Sequence, residues 1–193
     1  MSNRSLAAGL AAILITFTAP PALAQMQNPT GTPEQRGALD RLAFLDGEWR
    51  GTAMINGPEG RQTLTQTERV APMLGGSIRV IEGRGYAADG STAFNAMAIV
   101  SWDAQRGAYG FRSYAQGYQG DYPFEVTDTG FRWQVPAGPG ATIQYVATIE
   151  GDRCREVGSY VRDGQPPKPY FEMTLTRIGD TECPASGAVA LVE

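Results

Sequence analysis

From Glu48 onward, apolar and polar residues alternate with a period of two. In 92–102, Phe94, Ala96, Ala98, Val100 and Trp102 share one side, opposite Asn95, Met97, Ile99 and Ser101. In 141–149, Ile143, Tyr145, Ala147 and Ile149 oppose Thr142, Gln144, Val146 and Thr148. In 170–178, Phe171, Met173, Leu175 and Arg177 oppose Tyr170, Glu172, Thr174 and Thr176. A period of two marks β-strands with one buried face. Runs of this kind lie at 48–56, 61–70, 77–84, 92–102, 108–116, 121–127, 130–135, 141–149, 153–162 and 170–178. Between them stand turn formers such as Asn56-Gly57-Pro58, Ala88-Asp89-Gly90 and Asp163-Gly164, at hairpin spacing.

One segment departs from this pattern. Thr32 is an N-cap, Pro33 takes the first helical position, and Leu39, Leu42 and Ala43 fall on one face of a short helix over 33–44. The fold class is therefore all-β: an antiparallel up-and-down β-barrel of about ten strands with one short N-terminal helix. Several strands carry one apolar face and one mixed face. A barrel enclosing a cavity tolerates a mixed inner face, because ligand or water satisfies the polar groups.

The first residues read as a signal rather than as part of the fold. Arg4 is basic, Leu6 to Phe17 is apolar, and Ala22-Leu23-Ala24 has the form of a signal-peptidase site. The apolar run, about 12 residues, is shorter than the roughly 20 a spanning helix requires. The expected organisation is a Sec-type signal peptide over 1–24 cleaved after Ala24, a flexible leader over 25–32, the barrel domain over 33–183 and a disordered tail over 184–193. This predicts a periplasmic or secreted protein with no membrane span after signal removal. In an oxidising compartment, Cys154 and Cys183, the 2 cysteines of the chain, are expected to form a disulfide.

Composition mainly excludes functions. There are 0 histidines, which removes a Ser-His-Asp triad, an imidazole metal site and His-ligated haem. The net charge is −4, with no basic stripe for nucleic acid. Neither a metal site nor a bound cofactor is expected.

Gly47-Glu48-Trp49 at the start of the first strand, after a short helix, resembles the calycin superfamily, and Gly51 extends it to the Gly-x-Trp-x-Gly of nitrobindin-like barrels. More closely, the chain is similar to bacterial lipocalin-like proteins of the DUF1579 type. The matching stretches are Phe44–Trp49, Leu74-Gly75-Gly76, Cys154–Tyr160 and Tyr170–Thr174. The resemblance implies a barrel with an internal cavity, closed at one end by Trp49, with Gly47 at the corner and Arg177 of the last strand over the indole. Nitrobindin-like barrels hold haem through a histidine, which this chain lacks.

The function expected from these readings is an exported barrel that binds a small, mostly apolar ligand, fatty-acid-like or a similar lipophile. Trp102, Phe111, Phe124, Trp133 and Tyr145 are candidates to line the pocket. Arg79 and Arg112 interrupt apolar strands and are candidates to hold a ligand carboxylate through a bidentate pair. Glu172, like Glu68, is a candidate carboxylate in a strand. Two alternatives stand beside binding. One is a histidine-free acid–base enzyme of isomerase or decarboxylase type, marked by an inward Glu of raised pKa. The other is a secreted interaction or inhibitor module, marked by a filled interior and an exposed apolar patch.

Overall fold

The computed structural model describes residues 30–58 and 60–181. The expected signal peptide, most of the leader, Cys183 and the C-terminal tail lie outside these residues. Thr32 caps helix α1 (Pro33–Asp40) through a capping box with Gln35. A 3-10 turn at Ala43–Leu45 follows, so the helix is shorter than its apolar pattern suggested. Leu39 and Leu42, at 1% and 0% exposure, face the core from α1 and the loop after it.

Eleven antiparallel strands follow: β1 (Gly47–Gly57), β2 (Gly60–Met73), β3 (Ile78–Tyr86), β4 (Thr92–Asp103), β5 (Ala108–Ala115), β6 (Tyr118–Asp121), β7 (Phe124–Val126), β8 (Gly130–Pro136), β9 (Ala141–Glu150), β10 (Arg153–Arg162) and β11 (Lys168–Gly179). They form one sheet in the order β6-β5-β4-β3-β2-β1-β11-β10-β9-β8-β7. The meander is thus up-and-down throughout, with the first and last strands paired in the middle of the order. The sheet curls into a half-barrel.

The run expected as a single strand over 121–127 is strand only at Phe124–Val126 and at Asp121, the end of an additional strand that begins at Tyr118. Tyr122 and Pro123 separate β6 from β7, and proline has no N–H to give to a ladder. The extra strand arises because Gln116 (φ 50) and Gly117 (φ 85) turn β5 back into β6, the two positive φ values that a tight hairpin requires. The sheet edges β6 and β7 do not pair. β7 instead lies against β5, where the rings of Phe111 and Phe124 stack with centroids 5.1 Å apart.

Trp49 is 2% exposed and donates Nε1–H to the Leu45 carbonyl at 2.8 Å. An indole buries about 150–250 Å² of surface, so it anchors the start of β1 to the turn that precedes it. Its register neighbours are Glu68 on β2 and Arg177 on β11. The Arg177 guanidinium donates from Nε to the Asp46 carbonyl at 3.0 Å and pairs with Asp180 at 2.5 Å. Gly47, at φ 131, makes room for it, since a Cβ there would lie 2.8 Å from Arg177 Nε. Gly51 serves close approach: a Cβ would collide with the Thr174 carbonyl oxygen of β11.

Candidate functional site

The inner faces of β1–β5 and β8–β11 enclose a cavity of about 220 Å³. Strand parity decides what lines it. On β2, Leu64, Gln66, Glu68 and Val70 point inward, and on β10, Cys154 and Glu156 do so. One wall is aromatic. Trp133 stacks on Tyr145 (4.3 Å between centroids, 11° between planes), Tyr145 meets Phe171 edge-on at 5.7 Å, and Phe111 lies 5.1 Å from Trp133.

Two carboxyl groups enter this apolar space. Glu156 is 8% exposed, and its Oε1 accepts a hydrogen bond from Trp133 Nε1–H at 2.7 Å. Burial pushes its pKa up to about 7, and the indole donor, which favours the anion, opposes the rise. Glu68 lacks such a donor. Burial first, and the charge of Glu156 second, push it up to about 8. The two carboxyls therefore titrate as a pair, and the indole bond favours the anion on Glu156.

Gln66 completes the polar end of the cavity. It is 4% exposed, and its amide nitrogen makes one long contact of 3.4 Å with the Thr67 carbonyl. Gly83 on β3 leaves the space beneath: a Cβ there would lie 3.2 Å from Gln66 Nε2 and 3.7 Å from Glu68 Oε1. The amide and the carboxyl therefore converge over the same glycine. Cys154 lies nearby with its thiol pushed up to about 12, by burial and then by Glu68 and Glu156, so it is protonated and inert as a nucleophile. It carries no disulfide among the described residues, and the expected partner Cys183 lies outside them.

The candidates from the sequence separate into three groups. Phe111, Trp133 and Tyr145 line the cavity. Trp102 and Phe124 belong to the aromatic packing beside it: Trp102 donates to Glu34 at 3.2 Å, and Phe124 stacks between Phe111 and Phe131. Arg79, Arg112 and Glu172 do not line it. Arg79 is 2% exposed, but it sits at the helix-capped end, where Nε and Nη2 grip Asp46 at 2.7 and 2.8 Å and Nη1 donates to the Leu39 carbonyl. Its fork is fully occupied and cannot hold a ligand carboxylate. Arg112 pairs with Asp121 on the exposed outer face, and Glu172 with Arg155 at 2.8 Å. Strand parity places both outside, because their neighbours Phe111 and Phe171 point inward.

Glu156 and Gln66 were not among the candidates. Their signal was present in register: Glu156 shares a face with Cys154 and Gly158, and Gln66 with Leu64 and Val70. Among the described residues no group of three His, Cys, Asp or Glu side chains is placed to hold a metal ion, and no helix is long and apolar enough to cross a membrane.

No family model matches the chain, and no curated protein matches it. Among solved structures, the chain is similar to the crystal structure of Rv2717c from M. tuberculosis. The TM-score is 0.54 at 16% sequence identity, and the match covers 76% of this chain and 98% of that one. At that identity the likeness shows a shared half-barrel fold. The DUF1579-type resemblance has no match of its own behind it.

Proposed function

We propose that the protein is an exported calycin-like barrel that binds a small, mostly apolar molecule in its internal cavity. The observation that carries this reading is the cavity itself: about 220 Å³, walled by apolar and aromatic side chains, with three polar side chains at one end. Small-molecule sites are built this way, with apolar walls for affinity and a few polar groups for orientation. Burial of ligand surface supplies about 25 cal/mol per Å². The volume is below the roughly 300–1,000 Å³ of sites for drug-sized ligands, so it suits a single ring or a short chain better than a long fatty acid. The apolar run and Ala22-Leu23-Ala24 support export, and the mature partner is then a lipophile met outside the cytoplasm.

Native mass spectrometry of protein purified from the producing cells tests both halves. The expected result is a mature chain beginning at Gln25 that carries a releasable small molecule. A chain with an empty cavity, which after organic extraction takes up none of a panel of single-ring hydrocarbons, overturns the binding reading.

One observation favours a second reading, the histidine-free acid–base enzyme: two carboxyls with pKa values of about 7 and about 8 share one cavity. Glu156 would act as base and Glu68 as acid. The molecule released from the protein, returned to it in heavy water, would then gain deuterium, and Glu156→Gln would stop the exchange.

A further inference from the structure

Within the cavity, acids and bases are unevenly placed. Glu68 and Glu156 line it, and no Lys or Arg does. The arginines singled out as candidates serve elsewhere: Arg79 holds Asp46, Arg112 holds Asp121 and Arg177 holds Asp180. Among the described residues Glu68 makes no hydrogen bond or ion pair, and Glu156 has the Trp133 indole alone. A buried anion without a cation is costly, and the cost is relieved by a counter-charge of the right size.

Gln66 gives an independent indication. It is more than nine-tenths buried and borders the cavity; its amide nitrogen lies over Gly83 with Glu68 Oε1, and its carbonyl oxygen, turned toward Gly85, has no partner among the described residues. An acceptor-rich end built from two carboxyls, with an amide oxygen further along the same face, matches a donor-only group, and an ammonium is such a group, with up to three N–H donors. The stacked Trp133–Tyr145 wall adds ring faces that attract a cation. A ligand carboxylate would meet like charge at the same place.

We infer that the cavity selects a small apolar amine, whose ammonium sits at the Glu68–Glu156 end and whose hydrocarbon part lies against the aromatic wall. This rests on the binding reading above and specifies the ligand class.

The inference also sets a pH dependence. The titratable groups facing the ammonium are Glu68 from β2, Glu156 and Cys154 from β10, Tyr145 from β9 and Tyr170 from β11; β1, β3, β4, β5 and β8 contribute none. Cys154 and Tyr145 are both shifted upward and stay neutral, so the two glutamates control the response. A cation binds the ionised pair, so affinity rises with pH until the pair has lost its first proton, near pH 7. Below that, affinity falls about tenfold per pH unit.

Titration calorimetry of the full chain with benzylamine, benzyl alcohol and benzoate, at pH 8 and pH 5.5, tests the inference. Expected at pH 8 is benzylamine binding at least tenfold tighter than benzyl alcohol, with benzoate weakest. The amine preference should shrink at least tenfold at pH 5.5, and also in the Glu68→Gln/Glu156→Gln double variant, which should still bind benzyl alcohol. Equal binding of amine and alcohol overturns the inference and leaves the apolar cavity standing. An undiminished amine preference in the double variant also overturns it, by placing the cation elsewhere. If none of the three binds, the inference and the binding reading fall together. Should the variant not fold, the wild-type chain decides: benzylamine must shift the Trp133 indole N–H resonance, and the inference fails if it does not.

Discussion

At the scale of single residues, an acid's role follows from the face its strand presents. Glu68 and Glu156 share the interior, whereas Glu172 sits outside with Arg155 at 2.8 Å. The consequence is a pH-dependent stability of definite sign. The unfolded chain releases the Glu68 proton near 4.5, whereas the fold retains it until about 8. Between those values the folded state binds more protons, so stability falls as pH rises. Glu156 adds to the fall up to about 7. The shifts of the two correspond to a loss of up to roughly 6 kcal/mol between pH 5 and pH 9, which lowers Tm by on the order of 10 °C or more. Thermal melts at pH 5 and pH 9 should show it, Glu68→Gln should remove much of it, and Glu172→Ala should change stability by less than about 1 kcal/mol. An unchanged pH slope in Glu68→Gln would show that this carboxyl is solvated. Glu68 stands out in the sequence as a carboxylate in a strand-like run, and Glu156 does not. Around Glu156 the alternation is masked, because Arg153 and Arg155 on one face oppose a thiol and a glycine on the other, so hydrophobicity does not identify the inside.

At the scale of elements, the helix is tied to the barrel by an arginine buried on β3 and its half-buried carboxylate partner. Arg79 of β3 reaches Asp46 and the Leu39 carbonyl, joining the strand to the end of α1 and the corner before β1. Removing one partner of such a pair leaves the other uncompensated. Arg79→Ala is therefore expected to cost about 3 kcal/mol and to speed amide hydrogen exchange in α1 more than in β9 or β10. A uniform change across all elements would contradict a local tie. Most strands were legible because each shows period two between strong turn residues. The β5–β6 hairpin was not, because Gln116 takes a left-handed conformation at φ 50, which a glutamine does not advertise. Arg79 was legible as an unusual inward charge, but its partner lies 33 residues earlier, a pairing that no local pattern encodes.

At the scale of the whole molecule, the half-barrel follows from strand count and connection length, while the cavity follows from which side chains leave the centre unfilled. Ala96, Ala98, Ser113 and Gly83 are small where larger residues would have packed it shut. The mixed inner faces of the sequence pattern pointed to such a space, but its acidic character depended on register across β2 and β10 and became visible in three dimensions. The central claim is that this space takes up a small apolar molecule. The most direct measurement is an NMR titration of the full chain with benzene. Expected are saturable shifts of the Trp133 indole N–H and the Met173 methyl, both of which line the cavity, while the exposed Val146 and Ile178 remain unmoved. Shifts confined to the exposed residues, or no saturable shift at all, would contradict it.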